Sequence, residues 1–229
     1  MPEIPPFPVP LRGSDFVVPL GQTANLRGAS GNVRVIAGTA KGTPLRAVPG
    51  MNTRPTTDKV KEAIFSMIGP YFDGGTALDL FAGTGGLGIE ALSRGADRAV
   101  FIDTDRQAVA VIRRNVEAAR VADRSEIYRN TAERALRMLA NRGLKFRYVF
   151  LDPPYRMKNA DGLMAEMEER GMLEDGAVAV VEHDAGHHYP ESVGGFRLRR
   201  RATYGETAVS IYHYIQAADA AEEESDGQS

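Results

Sequence analysis

Between residues 76 and 181 the chain changes its hydrophobic period again and again. Short apolar runs alternate with stretches whose apolar residues recur at helical spacing. Strands are expected at 76–80, 98–102, 126–128, 146–151 and 177–181, and helices at 85–94, 106–120, 131–141 and 159–170. In the second of these helices Val109, Ile112 and Val116 share one face. Such alternation dictates a parallel sheet, because each parallel step needs a crossover and the crossover helices cover both faces. The ending departs from this rule. Runs at 196–202 and 207–215 have no helical pattern between them and read as an antiparallel hairpin on one sheet edge. The expectation is a doubly wound α/β domain with seven strands, mostly parallel.

Ahead of this domain, 33–36 and 43–48 are strand-like runs around Gly38-Thr-Ala-Lys-Gly42, which reads as a hairpin. Thr57 or Asp58 caps a helix through Ile68, with Val60, Ile64 and Ile68 on one face. Six of the thirteen prolines fall in the first twenty residues, so 1–30 reads as an arm with little fixed structure. The expected organisation is therefore an arm at 1–30, a hairpin and helix at 31–70, the α/β domain at 71–216, and an acidic disordered tail at 217–229.

Composition narrows the functional classes. There is no cysteine, which excludes disulfides, thiolate metal sites and cysteine nucleophiles. No apolar run approaches the roughly 18 residues of a spanning helix, and the N-terminus lacks a signal-peptide layout, so no membrane partner and a cytoplasmic location are expected. The net charge of −2 argues against a polyanionic partner until its distribution is read. From 32 to 61 there are six basic residues (Arg34, Lys41, Arg46, Arg54, Lys59, Lys61) against one acid, Asp58, and five acids in the tail mask them. Local asymmetry of this kind is the footprint of an anionic partner.

Gly83-Thr-Gly-Gly-Leu-Gly88 follows the first strand of the alternating region. Its G-x-G-x-x-G spacing lets a ligand approach the main chain closely at a helix N-terminus. The glycines alone do not separate a nicotinamide cofactor from a sulfonium donor, since Asp103 lies twenty residues on, where a ribose hydroxyl would be bound in either case. Asp79 shifts the balance. At the carboxyl end of its strand it would repel a pyrophosphate but favour an ammonium and a sulfonium, both carried by S-adenosylmethionine. Asp105 reads equally as a helix cap. Asn130 or Thr131 lies where an adenine edge would be met, with capping an even alternative.

Asp152-Pro-Pro-Tyr155 follows the strand at 146–151. The amine of a nucleobase is a weak nucleophile, because its lone pair is delocalised into the ring. A carboxylate and a carbonyl accepting its two N–H groups localise that pair and stabilise the charge that methylation builds. Asp152 supplies the carboxylate. Pro153 has a fixed φ, holds Asp152 extended and presents its own carbonyl. Pro154 stiffens the turn, and Tyr155 offers a ring for stacking.

The chain resembles the RsmD family of bacterial 16S rRNA guanine-N2 methyltransferases. The resemblance is carried by Val33-Arg-Val-Ile-Ala-Gly38, Arg54-Pro-Thr-Thr-Asp58 with Val60-Lys-Glu-Ala-Ile-Phe65, Asp79-Leu-Phe-Ala-Gly-Thr-Gly85 with Gly88-Ile-Glu-Ala-Leu92, and Asp152-Pro-Pro-Tyr155. It covers roughly Gly31 to Ile215. The resemblance implies a Rossmann-like class I methyltransferase fold with an N-terminal β-hairpin extension, and methylation of one loop guanine late in small-subunit assembly. It also implies RNA and cofactor contacts from the front segment.

On these grounds the expected catalytic residues are Asp152, Pro153, Pro154 and Tyr155. The cofactor would be held by Asp79, Phe81, Ala82, Gly83, Thr84, Gly85, Gly88, Asp103, Thr104, Asn130, Thr131 and Ala132. RNA would be met by Arg34, Lys41, Arg46, Arg54, Thr56 and Lys59. The expected partner is 16S rRNA within the assembled or assembling subunit, and the expected state is a monomer with no metal. An adenine-N6 amino-methyltransferase acting on DNA or RNA, and a non-catalytic RNA-binding module, are the alternatives. His183, His187 and His188 read as solvent-facing loop histidines rather than metal ligands. Arg197, Arg199, Arg200 and Arg201 could meet phosphates, but alternation allows only a subset on one face. Tyr204 reads as packing.

Overall fold

The structure is a computed structural model that describes residues 33–49, 58–154 and 156–216. The proline-rich arm, Arg54, Thr56, Tyr155 and the acidic tail lie outside the described residues. In chain order the elements are β1 (Val33–Arg34), β2 (Pro44–Leu45), α1 (Asp58–Ile68), β3 (Thr76–Asp79), α2 (Gly86–Ser93), β4 (Arg98–Asp103), α3 (Arg106–Ala118) and β5 (Ser125–Arg129). Then follow α4 (Ala132–Asn141), β6 (Phe146–Leu151), α5 (Ala160–Glu169), β7 (Leu173–Asp184), β8 (Ser192–Val193), β9 (Phe196–Tyr204) and β10 (Thr207–Tyr214).

The main sheet runs β5-β4-β3-β6-β7-β10-β9-β8. The first five of these strands are parallel, and β10 is antiparallel to both β7 and β9. The sheet therefore has eight strands, not the seven expected. The extra strand is β8, where Ser192 pairs with Arg197 and Val193 with Phe196. Two residues are too few to carry a period in the sequence.

Strand alternation sorts the core into two layers. Ala77, Ala99, Phe101, Tyr148, Phe150, Val178 and Val180 pack with α1, α2 and α3 on one face. Leu78, Val100, Ile102, Val149, Leu151, Ala179 and Val181 pack with α4 and α5 on the other. Phe65, Phe101 and Phe150 are fully buried. Side chains of that size each contribute about 1.5–3 kcal/mol on burial.

The front hairpin is locked onto α2 through polar groups. Glu90 is wholly buried and accepts the Ile36 and Ala37 backbone N–H groups at 2.8 and 2.9 Å. It also pairs with Arg94 at 2.8 Å and with Lys61 at 3.5 Å. Lys61 is thus a core residue at 1% exposure, not part of the basic front, and it donates a further hydrogen bond to the Arg34 carbonyl. The turn sits so close to the end of α2 that a Cβ on Gly38 would lie 1.8 Å from the Ser93 carbonyl oxygen. Ser93 Oγ accepts the Ala40 N–H at 2.9 Å.

Candidate active site

Asp79, Asp103, Asp152 and Glu182 each follow a strand residue committed to the α4–α5 layer: Leu78, Ile102, Leu151 and Val181. Alternation therefore projects all four carboxylates to the face covered by α1, α2, α3 and the hairpin. Asp79 pairs in register with both Phe101 and Phe150, so Asp103 and Asp152 stand two residues beyond it on either side. Leu151 pairs with Val181, which sets Glu182 next to Asp152. Across the carboxyl ends of β4, β3, β6 and β7, where ligands lie in open α/β sheets, the order is Asp103, Asp79, Asp152, Glu182.

The glycine loop closes over Asp79. Gly83 and Gly85 have φ of +53° and +77°, a region that favours glycine. A methyl group placed on Gly83 would meet nothing within 4 Å, so the main chain there is open to a ligand. Gly88 serves a different end: its Cβ would lie 2.4 Å from Phe101 Cε1, so only glycine lets α2 pack this close to β4. Its N–H donates to Asp79 Oδ2 at 3.0 Å. Asp79 is 3% exposed. Burial raises its pKa, the Gly88 N–H opposes that rise, and Asp103 adds to it, leaving it at about 7.

Asp103 accepts backbone N–H groups on both oxygens, from Gly83 at 2.8 Å and from Asp105 at 2.8 Å. These bonds hold the carboxylate between the loop and α3, and each oxygen keeps a lone pair. Asp105 caps α3 by accepting the Gln107 N–H at 2.8 Å. Thr104 is exposed beside it, Phe81 is half-buried, and Ala82 is buried with its N–H on the Ile102 carbonyl at 2.9 Å. Thr131 caps α4 at 3.4 Å, Asn130 Oδ1 accepts the Thr131 N–H at 3.0 Å, and Ala132 is buried. The Thr84 carbonyl accepts from Asn115 Nδ2 at 2.8 Å.

In the segment after β6, Pro153 is buried and Pro154 exposed, and the Met157 N–H closes a turn onto the Pro154 carbonyl at 2.7 Å. Asp152 remains partly exposed. Its pKa lies well above the ordinary carboxylate range, first through desolvation, then through the charges of Glu182 and Asp79.

Of the basic front, Lys41, Arg46 and Lys59 are exposed, as is Arg34, which pairs with Asp58 at 2.9 Å. The reading of the histidines needs correction. His183 is not a solvent-facing loop residue. β7 continues to Asp184, and His183 lies on its core face at 6% exposure, with Nε2 2.9 Å from Ser210 Oγ. His188 is exposed and His187 half-buried. Among the described residues no group of three or more His, Cys, Asp or Glu side chains is placed to hold a metal. In β9 a register shift lets Arg197, Arg199 and Arg200 all be exposed, while Arg201 turns to Ser210, His188 and the Tyr189 carbonyl. Tyr204 packs against the core.

Sequence reasoning gave no role to Glu90, Ser93, Asn115 or Glu182. Asn115 is wholly buried and joins the Arg46 backbone at 2.8 and 3.1 Å to the glycine loop. The available signal was a lone polar residue on an otherwise apolar helix face, as at Asn115 beside Val116 and Glu90 within Gly-Ile-Glu-Ala-Leu.

The family model described as Conserved hypothetical protein 95 matches residues 33–213. Ribosomal RNA small subunit methyltransferase D of Escherichia coli (strain K12) is 32% identical over 183 residues, which is 80% of this chain and 90% of that one. The chain belongs to the RsmD family. Another relative, YlbH of Bacillus subtilis (strain 168), provisionally named an rRNA methyltransferase, is 51% identical over 79% of this chain and 98% of its own length. Among solved structures, HI0767 from Haemophilus influenzae matches with a TM-score of 0.67 at 28% identity, covering 81% of this chain and all (100%) of that one. An RNA methyltransferase from Salinibacter ruber in complex with S-adenosyl-L-homocysteine shares the fold at 22% identity and a TM-score of 0.54, covering 71% and 94%. The Rossmann-like fold expected of the family is thus present, with one more strand.

Proposed function

We propose that the protein transfers a methyl group from S-adenosylmethionine to the exocyclic N2 amine of one guanine in 16S rRNA. The observation that carries this reading is the strand register that sets Asp152 on the same sheet face as Asp79, one strand over and two residues further along, beyond the glycine loop. A buried carboxylate beneath an open glycine loop suits a cationic amino-acid head and would repel a pyrophosphate, so the residues fit the cofactor. When bound, S-adenosylmethionine supplies an electrophilic methyl.

Asp79, Gly83, Gly85 and Gly88 hold the amino-acid end through charge and main chain, together with Phe81, Ala82 and Thr84. Asp103 and Thr104 face the ribose, and Asn130, Thr131 and Ala132 border the base. Asp152 and the Pro153 carbonyl accept the two hydrogens of the guanine amine and orient its lone pair toward the methyl. Positive charge then builds on N2 beside a carboxylate, which removes the cost of developing it in isolation. The raised pKa of Asp152 suits it to take the departing proton. Pro154 stiffens the turn, and Tyr155 provides the stacking ring. Lys41, Arg46, Lys59, Arg34, Arg54 and Thr56 meet the RNA backbone.

The same reading places the substrate in the small subunit during or after assembly. It makes the enzyme a cytoplasmic monomer that acts without a metal. Among the described residues no helix is long and apolar enough to cross a membrane. Nucleoside mass spectrometry tests the reaction. Unmethylated small subunits treated with protein and cofactor should gain N2-methylguanosine. Methyladenosine without any guanine product would overturn the reading in favour of the adenine alternative.

A further inference from the structure

Glu182 has a more constrained position than a loop acid would have. β7 runs on past the end of β6 and is held there by β10, with Glu182 opposite Val209 and His183 opposite Ala208. The next side chain along, His183, is fixed by Ser210 and by the Asp184 carbonyl, each 2.9 Å away. The backbone under Glu182 is therefore rigid. Its side chain leaves the sheet on the same face as Asp152, one strand over, and adjacent parallel strands lie about 4.8 Å apart.

Guanine presents two kinds of donor side by side on its Watson–Crick edge, the N2 amine and N1–H. Their spacing is about half that between adjacent strands, within the reach of two carboxylates side by side. Adenine presents its amine beside an N1 lone pair instead, which a carboxylate repels. We propose that Glu182 is a specificity-determining residue that accepts the N1–H of the bound guanine while Asp152 accepts its N2 amine. This inference rests on the guanine-N2 reading above and adds the group that selects guanine.

The test replaces the target base with 2-aminopurine, which keeps the N2 amine but has a lone pair at N1. Small subunits are reconstituted with 16S rRNA ligated to carry guanine or 2-aminopurine at the position that the enzyme methylates. The wild-type protein should prefer guanine by about 10²-fold or more in kcat/KM, since a site built to accept an N–H rejects an analogue lacking it. Glu182→Gln should narrow that preference at least about tenfold, because its amide can donate to the 2-aminopurine lone pair. Glu182→Asp, which keeps the charge, should retain a preference for guanine at lower turnover. A wild-type enzyme that methylates both bases equally would overturn the proposal without any variant, as would an unchanged ratio in Glu182→Gln. Failure of the wild-type protein to methylate any guanine is a separate result, and it would count against the reaction itself.

Discussion

Asp79 and Asp152 reach the same face of the sheet from neighbouring strands, Asp152 two residues beyond the level of Asp79. The charge of Asp79 adds to the raised pKa of Asp152, that of Asp103 adds to the raised pKa of Asp79, and both groups are desolvated. The consequence for Asp79 is a pKa of about 7 against an ordinary 3.8. The folded state therefore binds its proton more tightly than the unfolded chain does. This contribution to stability is fully present at low pH and is lost as pH rises through about 7, by as much as ~4 kcal/mol. Asp79→Asn is predicted to raise the thermal midpoint of the ligand-free protein at pH 8. It should also weaken S-adenosylmethionine binding at least tenfold, because the charge that faces the cationic head is gone. Calorimetric titration and melting at pH 8 check both halves. Wild-type affinity should climb as pH passes upward through 7.

Removing the Glu90 side chain leaves Lys61 and Arg94 without their buried counter-charge, and the Ile36 and Ala37 N–H groups without acceptors. Breaking one side of a buried pair costs about 3–5 kcal/mol. Glu90→Ala should lose that much in urea unfolding. A loss under about 1 kcal/mol would mean that the hairpin is anchored in some other way.

Gly88→Ala forces a methyl against the Phe101 ring and shifts the N–H that Asp79 accepts. Overpacking of this kind costs about 1–3 kcal/mol. The variant should melt lower and bind cofactor more weakly, whereas Gly83→Ala, which has free space around it, should lose mainly through its positive φ. Comparing the two melts separates packing from backbone strain.

Lys41 and Arg46 are exposed on the hairpin side of the molecule. If they meet phosphates, Lys41→Ala and Arg46→Ala should each weaken binding to small-subunit RNA. Each should also flatten the dependence of log affinity on log salt by about one unit. Filter binding over a salt series reads this directly, and an unchanged slope removes the residue from the RNA surface.

The sheet and its helices were legible because each element carries its own period and its own stops: α3 begins at Arg106 and β6 spans Phe146–Leu151, as their patterns require. β8 was invisible because two residues have no period. His183 was misread because the apolar run ends at Val181 while the strand continues, held by its pairing to β10 rather than by its own composition. Asp79, Asp103 and Asp152 could be placed at strand ends from local order alone. Glu90 and Asn115 could not be interpreted, because their partners, Ile36, Ala37, Arg46 and Thr84, lie 31 to 69 residues away in sequence. A polar residue on a core face has meaning only once its distant partner is known.

In the proposed reaction a carboxylate at position 152 holds a base amine ready for methylation. Single-turnover methyl transfer by Asp152→Ala on unmethylated small subunits, with cofactor affinity measured in parallel, tests it most directly. The prediction is a rate reduced by about 10²–10³-fold with cofactor affinity retained. Wild-type turnover in the variant would contradict it.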